Sequence, residues 1–379
     1  MDLVETSYRH KTAHIKITIP VLLILLMFQS YAQEKKVKLG VIGLTHSHVH
    51  WILSRQDMGD IDLVGVVEPN KELAQRYAQQ YNFNIDMVFD TMDTMISQTR
   101  PEAVAAFGTI YDHLNIVETC APKGIHVMVE KPLAVSLEHA KKMASLAKKH
   151  NIHLLTNYET SWYPTNERAK KLLTEGVIGD LRKVIVRDGH KGPKKIGVNP
   201  EFLEWLTDPV LNGGGAIMDF GCYGANLMTW ILNGERPKTV TAVTQQLQPE
   251  NNPKVDDDAT IILTYESSMA ILEPSWNWPI GRKDMEIYGE KGAIYAEDKN
   301  NLTLRISEGY SNYTEERMKF SEREKPFDDP FSVFASVVNG SLILDSFDPY
   351  SLENNMITMQ ILQAAIDSAT KKKTIEITD

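Results

Sequence analysis

Residues 37–50 read Val37-Lys38-Leu39-Gly40-Val41-Ile42-Gly43-Leu44-Thr45-His46-Ser47-His48-Val49-His50. An apolar run ends at Gly43, and a short polar turn then opens what reads as a helix to about Met58. A buried strand turning sharply at glycine into a helix is the first unit of a doubly wound parallel sheet. The alternation continues outward from it. Strands are expected at Ile61–Val67, near Met87–Phe89, and at Ala103–Phe107, Ile125–Val129 and Ile152–Thr156. Helices are expected at Lys71–Tyr81, Met92–Gln98, Tyr111–Pro122 and Ser136–His150. Short apolar strands interleaved with amphipathic helices predict an α/β Rossmann domain over residues 33–158.

Beyond Gly179 the rhythm changes. Leu181–Arg187, Thr239–Leu247, Ala259–Tyr265, Ala270–Trp276, Met285–Tyr288 and Leu302–Ile306 read as strands with little helix between them. The expectation for residues 159–379 is a second α/β domain built on a mostly antiparallel, open sheet. One helix interrupts it at Gly215–Leu232, two more follow at Phe331–Asn339 and Leu352–Thr370, and a short strand closes the chain at Thr374–Ile377.

The composition suits a folded two-domain chain: 379 residues, 42% hydrophobic and 24% charged, with a net charge of −10. That balance disfavours general nucleic-acid affinity. Two cysteines, Cys120 and Cys222, exclude a disulfide framework and a CxxC site, and both fall in expected core positions. Residues 1–32 have the layout of a Sec-type signal peptide. Arg9, His10, Lys11 and Lys16 precede an apolar run from Ile17 to Phe28, and Ser30-Tyr31-Ala32 supplies small residues before a cut at Gln33. The run is short for a membrane span, so the expectation is a secreted or periplasmic protein free of the membrane after cleavage.

A dinucleotide turn is usually built on GxGxxG. Only Gly43 keeps that pattern, with Thr45 and His48 at the second and third glycine positions. Thr45 and Ser47 still offer hydroxyls to a phosphate. Glu68 ends the second strand, where an acidic side chain bonds ribose hydroxyls and repels a 2′-phosphate, so NAD is expected rather than NADP. His46, His48 and His50 suggest a metal site, but zinc hydrolases need further His and Asp ligands at later strand ends. Only His113 sits near one, so no metal is expected and the histidines are read as facing solvent or phosphate.

Three stretches then fall in order: Gly108-Thr109-Ile110-Tyr111-Asp112-His113, Glu130-Lys131-Pro132, and Gly213-Gly214-Gly215 running to Asp219-Phe220-Gly221-Cys222-Tyr223. With Lys171–Gly179 and the terminal Ala364–Ala369 segment, they resemble the Gfo/Idh/MocA family of oxidoreductases, the glucose–fructose oxidoreductase and inositol dehydrogenase group. The resemblance covers nearly the whole chain after residue 32. It implies an NAD-binding Rossmann domain followed by a domain whose open sheet builds homo-oligomers. It also implies a nucleotide lying along Gly43, Thr45, His46, Ser47, His48, Glu68, Thr109, His113, Glu130 and Lys131.

Where the family often carries a catalytic His, this chain carries Tyr223. Asp219 and Tyr223 are four residues apart, so one helix would place both on one face. The expected chemistry makes Tyr223 the proton acceptor for a secondary alcohol and Asp219 a ligand of a substrate hydroxyl. Lys131 is expected to lower the phenol's pKa, or to take the proton itself. The plainer reading of Tyr223 is a core-facing aromatic. Tyr158, Trp162, His190 and Trp276 are sugar-friendly groups at predicted strand ends and are expected on the substrate side.

Together these readings predict an exported NAD-dependent oxidoreductase acting on a sugar or glycoside, retaining its nucleotide because free dinucleotide is scarce outside the cytosol. Two alternatives stay open. One is an NAD-dependent glycosidase working by transient oxidation and elimination, and the other is a non-catalytic sugar- or nucleotide-binding protein.

Overall fold

The computed structural model describes residues 35–377. The expected signal peptide lies outside the described residues. In chain order, the first half comprises β1 (Val37–Ile42), α1 (Val49–Leu53), β2 (Ile61–Val67), α2 (Lys71–Tyr81), β3 (Val88–Phe89), α3 (Met92–Thr99), β4 (Ala103–Ala106), α4 (His113–Cys120), β5 (His126–Glu130), α5 (Leu137–His150) and β6 (Leu154–Asn157). The strands pair in the order β3-β2-β1-β4-β5-β6, every pair parallel. The chain reverses direction across the sheet between β1 and β4, and in such sheets the crevice at that point receives the ligand.

Local chemistry sets the ends of these helices. Asn70 accepts the backbone N–H groups of Glu72 and Leu73 at the start of α2, and Asn82 closes it in the left-handed region. Ser136 and Asn151 do the same for α5. The helix after β1 is shorter than its sequence suggests, ending at Leu53 rather than near Met58. Arg55 is drawn out of the helical path to pair with Asp60 and Asp329, and Asp57 turns the chain by accepting the Gly59 N–H.

The second half comprises α6 (Pro164–Thr174), β7 (Leu181–Gly189), α7 (Pro193–Ile196), α8 (Pro200–Leu206), α9 (Ala216–Asp219), α10 (Gly221–Ile231), β8 (Thr239–Gln245), β9 (Asp258–Thr264), β10 (Met269–Ser275), β11 (Arg282–Gly289), β12 (Gly292–Ala296), β13 (Asn301–Ser307), β14 (Tyr313–Lys319), α11 (Pro330–Val338), α12 (Leu352–Lys371) and β15 (Ile375–Glu376). Its nine strands order as β14-β13-β12-β11-β7-β10-β9-β8-β15. Only β7 and β10 run parallel, and the rest are antiparallel. Three helices, α6 to α8, and two strands, β12 and β14, were not anticipated. Most of β14 is exposed and carries charge rather than alternating apolar residues, so periodicity could not reveal it.

The stretch read as one helix over Gly215–Leu232 is broken at Phe220 into α9 and α10. Asp219 and Tyr223 therefore sit on two helices. Close packing holds α10 on the sheet: a Cβ on Gly224 would lie 2.8 Å from Leu272 Cδ2. Asn226 on α10 donates to Asn354 Oδ1 on α12 at 2.9 Å, a buried amide pair that fixes the two helices together. Cys120 and Cys222 are both free and buried. Among the described residues no helix is long and apolar enough to cross a membrane.

Candidate active site

The turn after β1 is pinned before any ligand arrives. Gly43 has φ +82°, and a Cβ there would come within 2.7 Å of the Gly108 backbone nitrogen, so only glycine fits. Its N–H donates to Val67 O at 2.8 Å, and the His46 N–H donates to Phe107 O at 2.8 Å. Glu68, buried at the end of β2, accepts the Leu44 N–H (3.1 Å) and the Asn70 N–H (2.9 Å), one on each oxygen. A carboxylate has about four acceptor positions, so two remain for a ribose diol. Burial raises the Glu68 pKa above its ordinary value.

Three buried polar atoms along this crevice lack a partner: Thr45 Oγ1, His113 Nε2 and Asn157 Oδ1. The glycine-only turn, the buried acid at the end of β2 and these unsatisfied groups fit a dinucleotide. Thr109 is less available than expected, since its hydroxyl donates to Asp112 at 2.7 Å and accepts the Asp112 N–H.

The histidines do not all face solvent or phosphate. His46 is buried against Phe202 and Trp205 of α8, with ring centroids 4.6 and 5.6 Å apart. Burial drives its pKa well below the ordinary value, and its Nδ1 accepts the His48 N–H at 3.1 Å. His113 is fully buried, donates Nδ1–H to Leu133 O at 3.1 Å, and is brought by burial to about 4. Of His46, His48, His50 and His113, only His50 is exposed, with Nδ1 2.6 Å from Ser47 O.

His48 stacks on Trp51 at 3.8 Å, and its Nδ1 lies 2.8 Å from Glu130 Oε2. The other Glu130 oxygen accepts from Asn157 Nδ2 at 2.7 Å. His46, His48 and Glu130 each bring a ligand-type atom within 4.8 Å of the others. Hydrogen bonds already occupy His46 Nδ1, His48 Nδ1 and both Glu130 oxygens, so the set reads as a hydrogen-bonded chain.

At the other end of the crevice, Lys131 follows β5 directly. Its ammonium pairs with the Asp219 carboxylate and donates to the Asp219 carbonyl at 3.2 Å. Both side chains are buried. Burial alone would favour their neutral forms, but each outweighs it for the other. Lys131 is held above its ordinary pKa and Asp219 below. The second Asp219 oxygen accepts the Trp276 indole N–H at 3.0 Å. Trp276 is fully buried, so it orients Asp219 and presents no face to a sugar.

Tyr223 is almost wholly buried, with Lys131 Nζ 5.4 Å from its ring centroid. A second ammonium, Lys283 on β11, lies at the same 5.4 Å. The sequence reading missed this group, because nothing in a strand pattern distinguishes a lysine facing a cleft from one facing water. Lys283 pairs with Glu159 at 2.7 Å, and Glu159 also accepts from the Tyr163 hydroxyl at 2.7 Å. Burial opposes ionisation of Glu159, but Lys283 wins and brings its pKa to about 2.

The expectation that Lys131 lowers the Tyr223 pKa fails. Burial pushes the phenol well above its ordinary value, and Glu159 is the largest charge adding to the rise. Each ammonium is already matched by its own carboxylate, so little net positive potential is left for the phenol. Tyr158 packs edge-on to Tyr223 at 5.5 Å and is fully buried, a support for that ring and not a substrate surface. His190 meets the edge of Phe220 at 5.1 Å, is brought by burial to about 4, and uses Nδ1 to accept the Gly192 N–H. Trp162 is partly buried and meets Trp51 edge-on at 4.6 Å, which places it on the nucleotide side of the crevice.

Comparisons with known proteins agree with this layout. Residues 37–158 match the family "Oxidoreductase family, NAD-binding Rossmann fold", and residues 166–295 match "GFO/IDH/MocA C-terminal domain". A trans-1,2-dihydrobenzene-1,2-diol dehydrogenase of Xenopus tropicalis is 27% identical over 62% of this chain and 67% of its own length. A D-xylose 1-dehydrogenase [NADP(+)] of Haloarcula marismortui is 24% identical over 70% of this chain and 71% of its own. Among solved structures, an aldose-aldose oxidoreductase from Caulobacter crescentus superposes with TM-score 0.73 at 22% identity, covering 90% of this chain and all of that one. An inositol dehydrogenase homolog from Azotobacter vinelandii complexed with NAD+ gives TM-score 0.77 at 16% identity, covering 91% of this chain and 98% of that one.

Proposed function

The chain belongs to the GFO/IDH/MocA oxidoreductases, and from that premise we propose that it is an exported enzyme that oxidises a secondary hydroxyl of a neutral sugar or glycoside, using a retained NAD. The observation that carries this reading is the meeting of Lys131, from the strand end of the nucleotide crevice, with Asp219 and Tyr223 from the second half of the chain. A neutral substrate is favoured by the charge balance at the site: Lys131 is matched by Asp219 and Lys283 by Glu159, so neither of these two cations is free to take a carboxylate. The preference for NAD rests on Glu68, which would accept from ribose hydroxyls and repel a 2′-phosphate. Export rests on residues 1–32 alone. The relatives named above point to polyol and sugar substrates, and the open sheet of the second half suits assembly of identical subunits.

In the mechanism, bound NAD+ supplies the hydride acceptor. Lys131, kept charged by Asp219, donates a hydrogen bond to the substrate oxygen and stabilises the negative charge that grows there as the proton leaves. Tyr223, kept protonated by burial, donates a second such bond, and Lys283 with Glu159 holds the neighbouring hydroxyls. Phe220, beside Lys131 and Tyr223, excludes water from the reacting carbon.

Native mass spectrometry of the gently purified protein, followed by denaturing release, tests the reading. NAD bound in near-stoichiometric amount is the expected result. A protein that carries no nucleotide and binds neither NAD nor NADP at millimolar concentration would overturn it.

A further inference from the structure

We infer that His48, held by Glu130, is the group that receives the substrate's hydroxyl proton, an inference resting on the oxidoreductase reading above. Its position is the third place of the glycine pattern, where a bare Cα would serve the nucleotide equally well. This chain instead puts an imidazole there and anchors it twice, by stacking on Trp51 at 3.8 Å and through Nδ1 to Glu130 Oε2 at 2.8 Å. Glu130 is itself fixed by Asn157 Nδ2 at 2.7 Å. A carboxylate that accepts Nδ1–H leaves the lone pair on Nε2, the far edge of the ring. The His48 side chain is 17% exposed while Glu130 is 1% exposed, so the free edge is the one that opens on the crevice.

The two groups first considered for this role are unsuited to it. Lys131 is held as an ammonium by Asp219, and Tyr223 is held as a neutral phenol by burial. Both are donors, and neither offers a lone pair basic enough near neutrality. His48 offers a free lone pair, because burial drives its pKa well below the ordinary value and keeps the imidazole neutral, with Lys131 and Lys283 lowering it further and Glu159 raising it. Glu130, which holds His48, directly precedes Lys131, whose ammonium lies 5.4 Å from the Tyr223 ring, so the imidazole and the phenol both belong to the end of β5. The groups facing His48 are thus His46 and His50 from its own turn, Glu130 and Lys131 from the end of β5, Glu159 from the turn after β6 and Lys283 from β11.

The step balances simply. The substrate C–H bond breaks and its electron pair leaves as hydride to NAD+. The O–H bond breaks with its proton passing to His48 Nε2, and the C=O bond forms. Glu130 stabilises the resulting imidazolium, which returns the proton to water when product leaves.

The test uses the full chain and three variants, His48→Gln, His48→Gly and Glu130→Gln, with folding checked by circular dichroism and nucleotide binding by quenching of tryptophan fluorescence. D-Glucose, D-xylose and methyl β-D-glucoside with NAD+ serve as substrates. His48→Gln should retain nucleotide within a few-fold of wild type yet lose about 100-fold or more in kcat. The acid limb of its kcat/KM profile should vanish, and imidazole added to His48→Gly should restore part of the rate. Nitrogen-15 spectra of the histidine rings should show His48 protonated on Nδ1 and bare on Nε2, a readout independent of turnover. Should Glu130→Gln fold where the His48 variants do not, the same loss of the acid limb is expected of it. Wild-type-like turnover and pH profile in His48→Gln, or a proton on Nε2, would overturn the inference while leaving the oxidoreductase reading intact. A wild-type protein that binds no nucleotide and oxidises nothing would overturn both.

Discussion

Lys131 Nζ lies 5.4 Å from the ring centroid of Tyr223, although one residue caps a strand of the parallel sheet and the other opens a helix of the second half. The contact assembles a site from two parts of the chain that have no reason to meet in sequence. It also fixes what each group can do, because the ammonium is already neutralised by Asp219 and the phenol is kept protonated by burial.

The Lys131–Asp219 pair should be costly to break from either side. Lys131→Met leaves a buried carboxylate without its cation, and a loss of about 3–5 kcal/mol is expected in urea unfolding. Combining Lys131→Met with Asp219→Leu should recover much of that loss while activity stays absent. Additive losses in the double variant would show that the pair is not coupled.

Lys283→Met should act chiefly on substrate binding. Removing a charged donor from the pocket is expected to raise KM by about 10- to 100-fold with a smaller change in kcat. Lys283→Arg, which can still pair with Glu159, should lie closer to wild type. A kcat effect larger than the KM effect would move Lys283 from holding the substrate to assisting the reaction.

Glu68 should set the choice of nucleotide. Glu68→Ala removes the ribose acceptor and the repulsion of a 2′-phosphate together, so NAD affinity should fall by about 10- to 100-fold and the ratio of NADP to NAD binding should rise. Isothermal titration with both nucleotides reads it. An unchanged ratio would place the adenosine ribose elsewhere.

The share of stability that Asp256 and Asp348 contribute should decline as pH rises from about 4 to about 6, while buried His113 and His190, lowered to about 4, add the opposite slope. Burial raises the carboxyls of Asp256 and Asp348 to about 6 in the folded chain, above the value near 3.8 they recover on unfolding. In that window each of these two carboxyls holds more proton in the folded state than in the unfolded one, so its own contribution falls with each added unit of pH. For one such carboxyl the full loss is on the order of 3 kcal/mol. Relative to wild type, Asp348→Asn should gain stability between pH 4 and pH 6 in thermal melts, because its downward share of the slope is gone. An unchanged slope would assign it to other groups.

The alternation of buried strands and amphipathic helices made the order of elements in the parallel sheet legible, with boundaries off by up to five residues, because a parallel strand covered on both faces is an unbroken apolar run. β4 and β5 were recognisable in that way, and their ends carry Gly108 and Glu130. The motif Glu130-Lys131-Pro132 and the segment around Asp219 and Tyr223 stood out by their place at a strand end and by the family resemblance, and the fold brings Lys131 to both Asp219 and Tyr223. Trp276 was misread because its burial comes from strands and helices distant in sequence. β14 and the break at Phe220 left no periodic trace.

What the sequence determined by itself was local: which segments are strands or helices, where a glycine must turn the chain, and which acids, lysines and tyrosines stand at strand ends. The tertiary structure alone decided how the charges pair. Lys131 went to Asp219, Lys283 to Glu159 and His48 to Glu130. The physical reason is that protonation depends on burial and on neighbours within a few ångströms. Those neighbours are brought in by packing between segments, at separations no sequence period encodes.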